Sequence, residues 1–142
     1  MAFNFSTLAG LFEQIDTNIE GFLFIDSFKY EIKEFNIGFG QAIDHKGQPQ
    51  HEVKGGQISI TLTEIPAPSI YDWAKRTNKP KSGKILFQTA SRGTILNLQF
   101  ENAHCVSFYQ KVDYLNGTQI SLKISPQKVS IENILHDNNW NE

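Results

Sequence analysis

The chain has 142 residues, of which 39% are hydrophobic and 20% are charged, and its formal net charge is −2. These values are typical of one globular domain with a sizeable core, and they exclude a disordered chain and a surface dominated by positive charge. The single cysteine excludes an internal disulfide, and no apolar run approaches the roughly 20 residues of a membrane span.

The first predicted elements are a weak helix and two strands. Apolar residues between positions 8 and 15 follow the i, i+3, i+4, i+7 spacing of a short amphipathic helix. A run of four apolar residues at 22–25 predicts a strand. In the run 28–40, Phe28, Tyr30 and Ile32 alternate with charged residues, which predicts a second strand with one buried face. We therefore divide the chain into an N-terminal extension, 1–21, and a β-domain, 22–142.

A long polar loop follows the second strand. Residues 41–56 hold three glycines and one proline among sixteen residues. Hairpin connections usually have about 2–5 residues, and longer ordered loops are often functional. Alternation then predicts a strand over 57–63, which two prolines end.

One helix is predicted with better support, over 69–78. Ser69 is a suitable N-cap, Asp72 falls in the first turn, and basic residues lie at the C-terminal end, an order that suits the helix dipole. Trp73 is the residue expected to anchor this helix on the sheet.

The remaining sequence predicts further strands separated by turns. An Asn116-Gly117 pair is a strong two-residue hairpin signal. Alternating apolar residues predict strands at 84–90, 94–101, 103–112, 120–124 and 129–131. Seven or eight short strands with one helix indicate an all-β domain, an antiparallel barrel or sandwich.

No set of residues shows a recognisable catalytic or metal-binding spacing. His104 and Cys105 are neighbours on a strand, so their side chains point to opposite faces and cannot form a nucleophile–base pair. Cys105 is therefore expected to be a buried packing residue. His45 and His51 share the long loop without a third ligand at a recognisable spacing. The sequence predicts neither an enzyme nor a cofactor.

Five cations lie between positions 75 and 84. They are interpreted as a helix C-terminus followed by a solvated turn, with an anionic partner as the alternative. No aromatic residues interleave with them, as a base-stacking platform for nucleic acid requires.

An ordered set of motifs runs through the β-domain. It comprises Asp44, Gly47, Pro49, Val53, Gly55, Gly56 and Ile58 around the loop, Trp73 on the helix, Ser82-Gly83-x-Ile85-x-Phe87, Leu98-x-Phe100-x-x-Ala103-x-Cys105-Val106, and His136-Asp137-Asn138-Asn139-Trp140. In this order, from residue 22 onward, the sequence resembles the type VI secretion tube proteins (Hcp, or TssD), specifically their Bacteroidetes branch. The N-terminal extension of about twenty residues is longer than the one this family usually carries.

The resemblance implies a β-barrel with one helix on its flank, assembled into a six-membered ring. The rings stack into a tube inside a contractile sheath, tipped by a VgrG-like spike protein, and small effectors ride in the lumen. The implied partners are thus further copies of the chain, the spike, sheath subunits and effectors, with no nucleic acid, no membrane insertion and no cofactor.

The resemblance also assigns roles to particular residues. In the family the loop after the second long strand reaches the adjacent ring, so the ring-stacking positions carried over are Asp44, Gly47, Pro49, Val53, Gly55 and Gly56. The structural core positions are Trp73, Phe87, Leu98, Phe100 and Cys105. Since no basic region precedes an apolar stretch near residue 1, we expect no Sec signal peptide, and therefore cytoplasmic synthesis followed by release through the type VI route.

Two alternatives stay open at this point. The first is a tube protein of a phage-tail-like or extracellular contractile injection device, which would share the barrel and the ring. The second is a monomeric β-barrel that binds a ligand. Genome neighbourhood distinguishes the first alternative, and the mass in solution distinguishes the second.

Overall fold

The computed structural model describes residues 18–40, 54–76, 78–132 and 134–138. The predicted N-terminal helix around residues 8–15 lies outside these ranges. Within them the elements are β1 (Glu20–Ile25), β2 (Phe28–Gly40), β3 (Lys54–Leu62), α1 (Pro68–Lys75), β4 (Lys81–Thr89), β5 (Gly93–Asp113), β6 (Gly117–Ser125), β7 (Lys128–Ile131) and β8 (Ile134–Asp137).

Six of the strands close into an antiparallel barrel. Their order is β4-β1-β2-β3-β6-β5, and β5 pairs back with β4. The remaining two strands form a hairpin at the side of the barrel, in which β7 pairs with β5 and β8 pairs with β7. The predicted antiparallel β-barrel with one short helix is therefore confirmed in the described part of the chain.

β5 is one continuous strand of 21 residues where the sequence predicts two strands. Its first half pairs with β4 and β7, and its second half pairs with β6. Asn102, between the halves, has a φ of 51°, and the β5–β6 register shifts between Cys105 and Ser107. The prediction of two strands is wrong because hydrogen bonding to three partners carries the strand through an irregularity that interrupts its alternation.

Alternate strand residues fill the barrel with apolar side chains. In β1, residues Gly21, Leu23 and Ile25 are buried, whereas Phe22 and Phe24 between them are half-buried on the outer face. A Cβ at position 21 would overlap the Phe87 ring, so only glycine fits there. The other buried apolar residues are Tyr30, Ile32, Ile58, Ile60, Leu62, Ile70, Trp73, Ile85, Leu98, Phe100, Ala103, Ile120, Leu122, Ile124 and Val129.

The helix α1 differs from its prediction at both ends. It begins at Pro68, with Ala67 as N-cap and no side-chain cap, so the expected capping role of Ser69 is wrong. Proline suits the first helical position because its missing N–H would have no partner there. Asp72 is not in the first turn; its Oδ1 lies 2.8 Å from Nε of Arg76. The extended conformation at Arg76 ends the helix at Lys75, three residues earlier than predicted.

The β5–β6 connection is a three-residue turn, Tyr114-Leu115-Asn116, and not the predicted two-residue turn. Gly117 opens β6 with a φ of 78° and pairs with Asp113. Oδ1 of Asp113 accepts hydrogen bonds from the backbone N–H of Leu115 at 2.8 Å and of Asn116 at 3.3 Å, which lower the pKa of this carboxyl. Three-residue hairpin loops commonly end on a left-handed residue, a position that favours glycine.

Candidate assembly surfaces

The antiparallel barrel has two ends that differ in character. The end at which β2 stops and β3 starts, with residues 41–53 between them, is called here the loop end. The opposite end carries the β1–β2 turn, the β5–β6 turn and the β3–α1 connection, and is called the hairpin end. The predicted ring-stacking residues Asp44, Gly47, Pro49 and Val53 lie outside the described residues.

The base of the loop differs from its prediction. β3 begins at Lys54, so Gly55 and Gly56 lie within the strand and not in the loop. Gly40 pairs with Lys54, and Phe39 pairs with Gly55. The connection between these paired residues is therefore 41–53, three residues shorter than predicted.

Gly56 is a buried bulge residue in β3. The β2–β3 register shifts at this point, and Gly56 has a φ of 72°. A Cβ there would lie 3.1 Å from Cγ1 of Val129 and 3.3 Å from Cε1 of Phe39. Both the backbone conformation and the close contact with the β7–β8 hairpin thus favour glycine.

The β7–β8 hairpin is fixed against the loop end by a small cluster of contacts. The His136 ring meets the Phe39 ring edge-on, with centroids 4.9 Å apart. Nε2 of His136 lies 2.9 Å from Oδ1 of Asn138. The buried Asn138 side chain donates from Nδ2 to the carbonyl of Pro126 at 3.0 Å, and its backbone N–H donates to the carbonyl of Gln127 at 2.9 Å. His136 and Asn138, two residues of the terminal motif, therefore have packing roles that the sequence did not predict.

Asn138→Ala is expected to lower the free energy of unfolding by about 1–3 kcal/mol, because it leaves the buried Pro126 carbonyl without its donor. Lys128→Ala is the matched control on the same hairpin. Its ion pair with Asp137 spans 3.9 Å between side chains that are about a third exposed, and such pairs contribute well under about 1 kcal/mol. Urea unfolding at a fixed chain concentration compares the two. Equal losses would contradict the assigned role of Asn138.

Cys105 lies half-buried on β5, against the edge of the core. The prediction of a fully buried residue is therefore wrong, because Cys105 lies at the point where the β5–β6 register shifts and only packs against the core. Its Sγ lies 3.4 Å from the carbonyl oxygen of Ser107. Burial raises the pKa of the Cys105 thiol, which keeps it protonated near neutral pH.

The raised pKa predicts slow alkylation of Cys105. Because the thiolate is the reactive form, the rate with iodoacetamide should rise with pH around a midpoint above about 8.5, the ordinary cysteine value. The same protein in urea serves as the control and should react with the ordinary midpoint. A folded protein that reacts with a midpoint at or below that of the unfolded protein would show that burial does not govern the reactivity of this thiol.

Cys105→Ala should lower the free energy of unfolding by about 1 kcal/mol and leave assembly intact.

The other predicted core residues belong to the buried core cluster or pack against it. Trp73, Leu98 and Phe100 are at most 1% exposed, and Phe87 is half-buried against the same cluster. Nε1 of Trp73 donates to the carbonyl of Ala103 at 2.9 Å, which ties the helix to β5.

An aromatic face lies on the outside of the barrel around β1. It consists of Phe22, Phe24 and Leu86, and Phe22 pairs directly with Leu86 across β1 and β4. The ammonium of Lys29 lies 4.1 Å from the Phe22 ring centroid, and that of Lys84 lies 5.8 Å from the Phe24 centroid. Outward positions of a solvated barrel usually carry polar residues, so this face is suited to contact with protein.

A hydroxyl-rich face lies on the opposite side, where β3, β5 and β6 meet. Its members are Ser59, Thr61, Ser107 and Ser121, which surround a shallow cavity of about 240 Å³. In the strand order of the closed barrel, β6 stands directly across from β1. The barrel therefore presents one apolar and one polar side.

The predicted run of cations does not form a free basic patch. Arg76 pairs with Asp72 at 2.8 Å, and Lys81 pairs with Asp26 at 2.6 Å. Lys84 lies over the Phe24 ring. Local contacts therefore engage three of the five cations, in line with the interpretation as a helix end and turn.

The described ranges hold no group of three or more His, Cys, Asp or Glu side chains that could bind a metal. His45 and His51 lie outside those ranges. None of the described helices has both the length and the hydropathy needed to span a membrane.

The distinctive features of this barrel are two contrasting outer sides and two contrasting ends. The sequence model of the family described as hemolysin coregulated protein Hcp (TssD) matches residues 17–141. The chain belongs to the Hcp (TssD) family, and the resemblance in its motifs is confirmed. No curated protein sequence matches the chain.

Solved structures share the fold. Hcp1 from Flavobacterium johnsoniae aligns with a TM-score of 0.75 at 23% identity, covering 84% of this chain and 99% of that one. Hcp1 from Salmonella typhimurium aligns with a TM-score of 0.66 at 13% identity, covering 81% and 86%. A chain of the six-fold symmetrised baseplate of the anti-feeding prophage aligns with a TM-score of 0.51 at 9% identity, covering 88% and 96%.

Family membership gives the protein its general function. Hcp proteins form stacked rings in tube structures, and they are structural and not enzymatic. The protein is therefore a tube subunit of a type VI secretion system, as its motifs predict.

Proposed function

We propose that six copies of the chain close into a ring and that rings stack head to tail into the inner tube of the secretion machine. The family match over residues 17–141 carries this proposal. A contact that uses two different surfaces of one chain closes into a ring when its rotation permits, and a second such contact along the axis generates a filament. A tube needs both kinds of contact.

The aromatic face is proposed as part of the contact within the ring. Phe22, Phe24 and Leu86 offer apolar area on an outer side of the barrel, where burial against a neighbour is favourable. The hydroxyl-rich face on the other side then stays in water and lines the lumen, where it meets effector proteins through polar contacts. Lys29 and Lys84, above the aromatic rings, supply charge for orienting the neighbour.

The loop end is proposed to face the hairpin end of the next ring. Residues 41–53 extend from the Gly40–Lys54 pair at this end, so Asp44, Gly47, Pro49 and Val53 are the candidates for direct stacking contacts. Gly55 and Gly56 contribute indirectly, since they shape the strand from which the loop leaves.

The remaining partners follow from the same assembly. We propose that the completed tube carries a VgrG-like spike at its tip, lies inside sheath subunits, and is expelled with small effectors in its lumen. Synthesis in the cytoplasm and release by the type VI route complete this proposal.

Light scattering of the purified protein tests the ring, and a mass of about six times 16.1 kDa is expected. Negative-stain images should show closed rings. Phe22→Ser with Phe24→Ser should weaken the ring, because both side chains lie on the aromatic face. Ser59→Ala with Ser121→Ala, on the opposite side, should leave the ring intact. A wild-type monomer at tens of micromolar would contradict the ring and favour the monomeric binding domain.

A related contractile injection device is the second candidate, favoured by the fold likeness to the anti-feeding prophage baseplate. Such a protein would share both the barrel and the ring. The neighbouring genes distinguish the two, since type VI loci encode a membrane complex and a recycling ATPase.

A further inference from the structure

The tip of the β5–β6 hairpin exposes three large apolar side chains. Val112 is 75% exposed, Leu115 84% and Tyr114 100%. These three residues are called here the hairpin tip. An apolar group of this kind at the end of a projecting hairpin marks a surface that another molecule covers.

The hairpin tip is held in one conformation before any partner binds. The Asp113 carboxylate fixes the turn through two backbone N–H groups, and Gly117 supplies the left-handed residue that closes it. Nζ of Lys33 on β2 donates to Oε1 of Gln119 at 3.4 Å, which links the hairpin to the barrel. A surface that is ordered in advance loses little entropy on binding.

A cavity of about 360 Å³ lies at the base of the hairpin tip. Lys33, Lys111 and Asp113 are its charged lining residues, and hydrogen bonds from the turn already engage the aspartate. Two positive charges against one negative charge in this lining, beside the exposed apolar side chains, favour a partner that carries both acidic and apolar groups.

The segment 1–17 of the same chain has this composition. It holds two acidic residues and no lysine or arginine. Its residues 1–16 lie outside the family match, so the family does not account for them. Its large apolar residues are Phe3, Phe5, Leu8, Leu11, Phe12 and Ile15, and its acidic residues are Glu13 and Asp16.

The segment leaves the barrel at the loop end. Glu20 at the start of β1 pairs with Gln88, close to the end of β4 and therefore away from the hairpin tip. In a head-to-tail stack, the loop end of one subunit faces the hairpin end of a subunit in the next ring. The segment of one copy and the hairpin tip of another then meet at the same junction.

We propose that residues 1–17 of one subunit dock on the hairpin tip of a subunit in the adjacent ring, an inference that rests on the proposed stacking. Their apolar residues cover Val112, Tyr114 and Leu115, and their acidic residues approach Lys33 and Lys111. The polar loop 41–53 starts from the same end but holds only two large apolar residues, Ile43 and Val53, against six in the segment. The segment therefore adds an apolar contact to the junction beside the polar loop.

Disulfide trapping in the full chain tests this contact. In a Cys105→Ala background, Phe12→Cys is combined with Leu115→Cys, rings are concentrated, and oxidation is followed on non-reducing gels. Because each subunit would be linked both to the ring above and to the ring below, a ladder continuing past six chains is expected. The control pairs Phe12→Cys with Gln99→Cys, an exposed residue on the side of the barrel, and should give at most a few percent of that product.

The product pattern distinguishes the other arrangements. A ladder that stops at six chains would place the contact within one ring, and a monomer that only changes its mobility would place it within one subunit. Either result, or rings with no product, overturns the inference while leaving the ring intact. Light scattering of the same samples separates these results from failure of the proposed function, since monomers would overturn both.

Charge-reversal variants test the proposed pairing between the acidic residues of the segment and the two lysines. Lys33→Glu with Lys111→Glu should slow formation of the ladder at least several-fold at low salt, and Glu13→Lys with Asp16→Lys in the same chain should restore it. Slowing without restoration would show that the lysines act on the barrel itself, which contradicts the proposed pairing.

Discussion

Replacing residues 41–53 with a short Gly-Ser turn is expected to leave single rings intact and to abolish tubes and secretion. The replaced residues lie between paired backbone positions, since Gly40 pairs with Lys54. The barrel strands and their buried faces are therefore untouched. In the proposed six-membered ring, six equivalent loops meet the next ring, so a small loss per contact is multiplied by six. At about 1 kcal/mol per contact, the value of one net hydrogen bond, the junction loses at most about 6 kcal/mol, or roughly four decades of association constant.

A loop of the same length with a scrambled sequence is the matched control, because it separates loop length from loop sequence. Mass and electron microscopy of both variants give the answer. Monomers from the shortened variant would place the loop within the ring contact. Long tubes from it would show that residues 41–53 do not stack the rings.

Trp73→Ala is expected to lower the free energy of unfolding by about 3–5 kcal/mol, the range for deleting a large buried side chain. Trp73 is 1% exposed, and its indole N–H donates to the Ala103 carbonyl at 2.9 Å. Because the side chain joins α1 to β5, its loss leaves both a cavity and an unpaired carbonyl. Ile70 would be the only fully buried side chain remaining on the helix.

Trp73→Phe separates the two contributions, since it keeps most of the apolar volume and removes the donor. Its expected cost is about 1–3 kcal/mol. Tyr71→Phe is the control on the same helix: it removes a 2.8 Å hydrogen bond to Gln110 from a half-buried position and should cost less than Trp73→Phe. Denaturant unfolding must be compared at one chain concentration, because assembly shifts apparent stability. Equal effects of Trp73→Ala and Tyr71→Phe would contradict the anchoring role.

The fold could be predicted where local pattern and tertiary contact agree. Alternation over 28–40 predicted β2 with its observed bounds, because inward and outward positions carry opposite residue types along most of the strand. β5 could not be predicted as one strand, because the alternation breaks while pairing continues. The start of α1 depends on Pro68 and on the Ala67 N–H, which donates to the Tyr30 hydroxyl at 3.0 Å, a contact between residues 37 positions apart.

The candidate surfaces could be predicted less well than the fold from the sequence. The loop was conspicuous through its length and polarity, and the resemblance gave it a role. Its base at Gly56 and the contacts of Asn138 depend on where the β7–β8 hairpin packs, which no local pattern encodes. The aromatic face was hidden in a strand whose residues 22–25 are all apolar, since such a run does not tell inside from outside.

Closure of the barrel also limits how copies of the chain can join when they are packed closely together. A sheet with a free margin offers unpaired N–H and C=O groups on which further chains can add as strands. Here each of the six barrel strands pairs with a strand on both sides along part of its length, and the sheet terminates in β8, which is only four residues long and carries the charge of Asp137. Subunits in rings and stacks are then held by side chains and loops. Such contacts can be broken and remade, so the proposed tube is expected to dissociate into folded subunits and not to convert into an irreversible fibre.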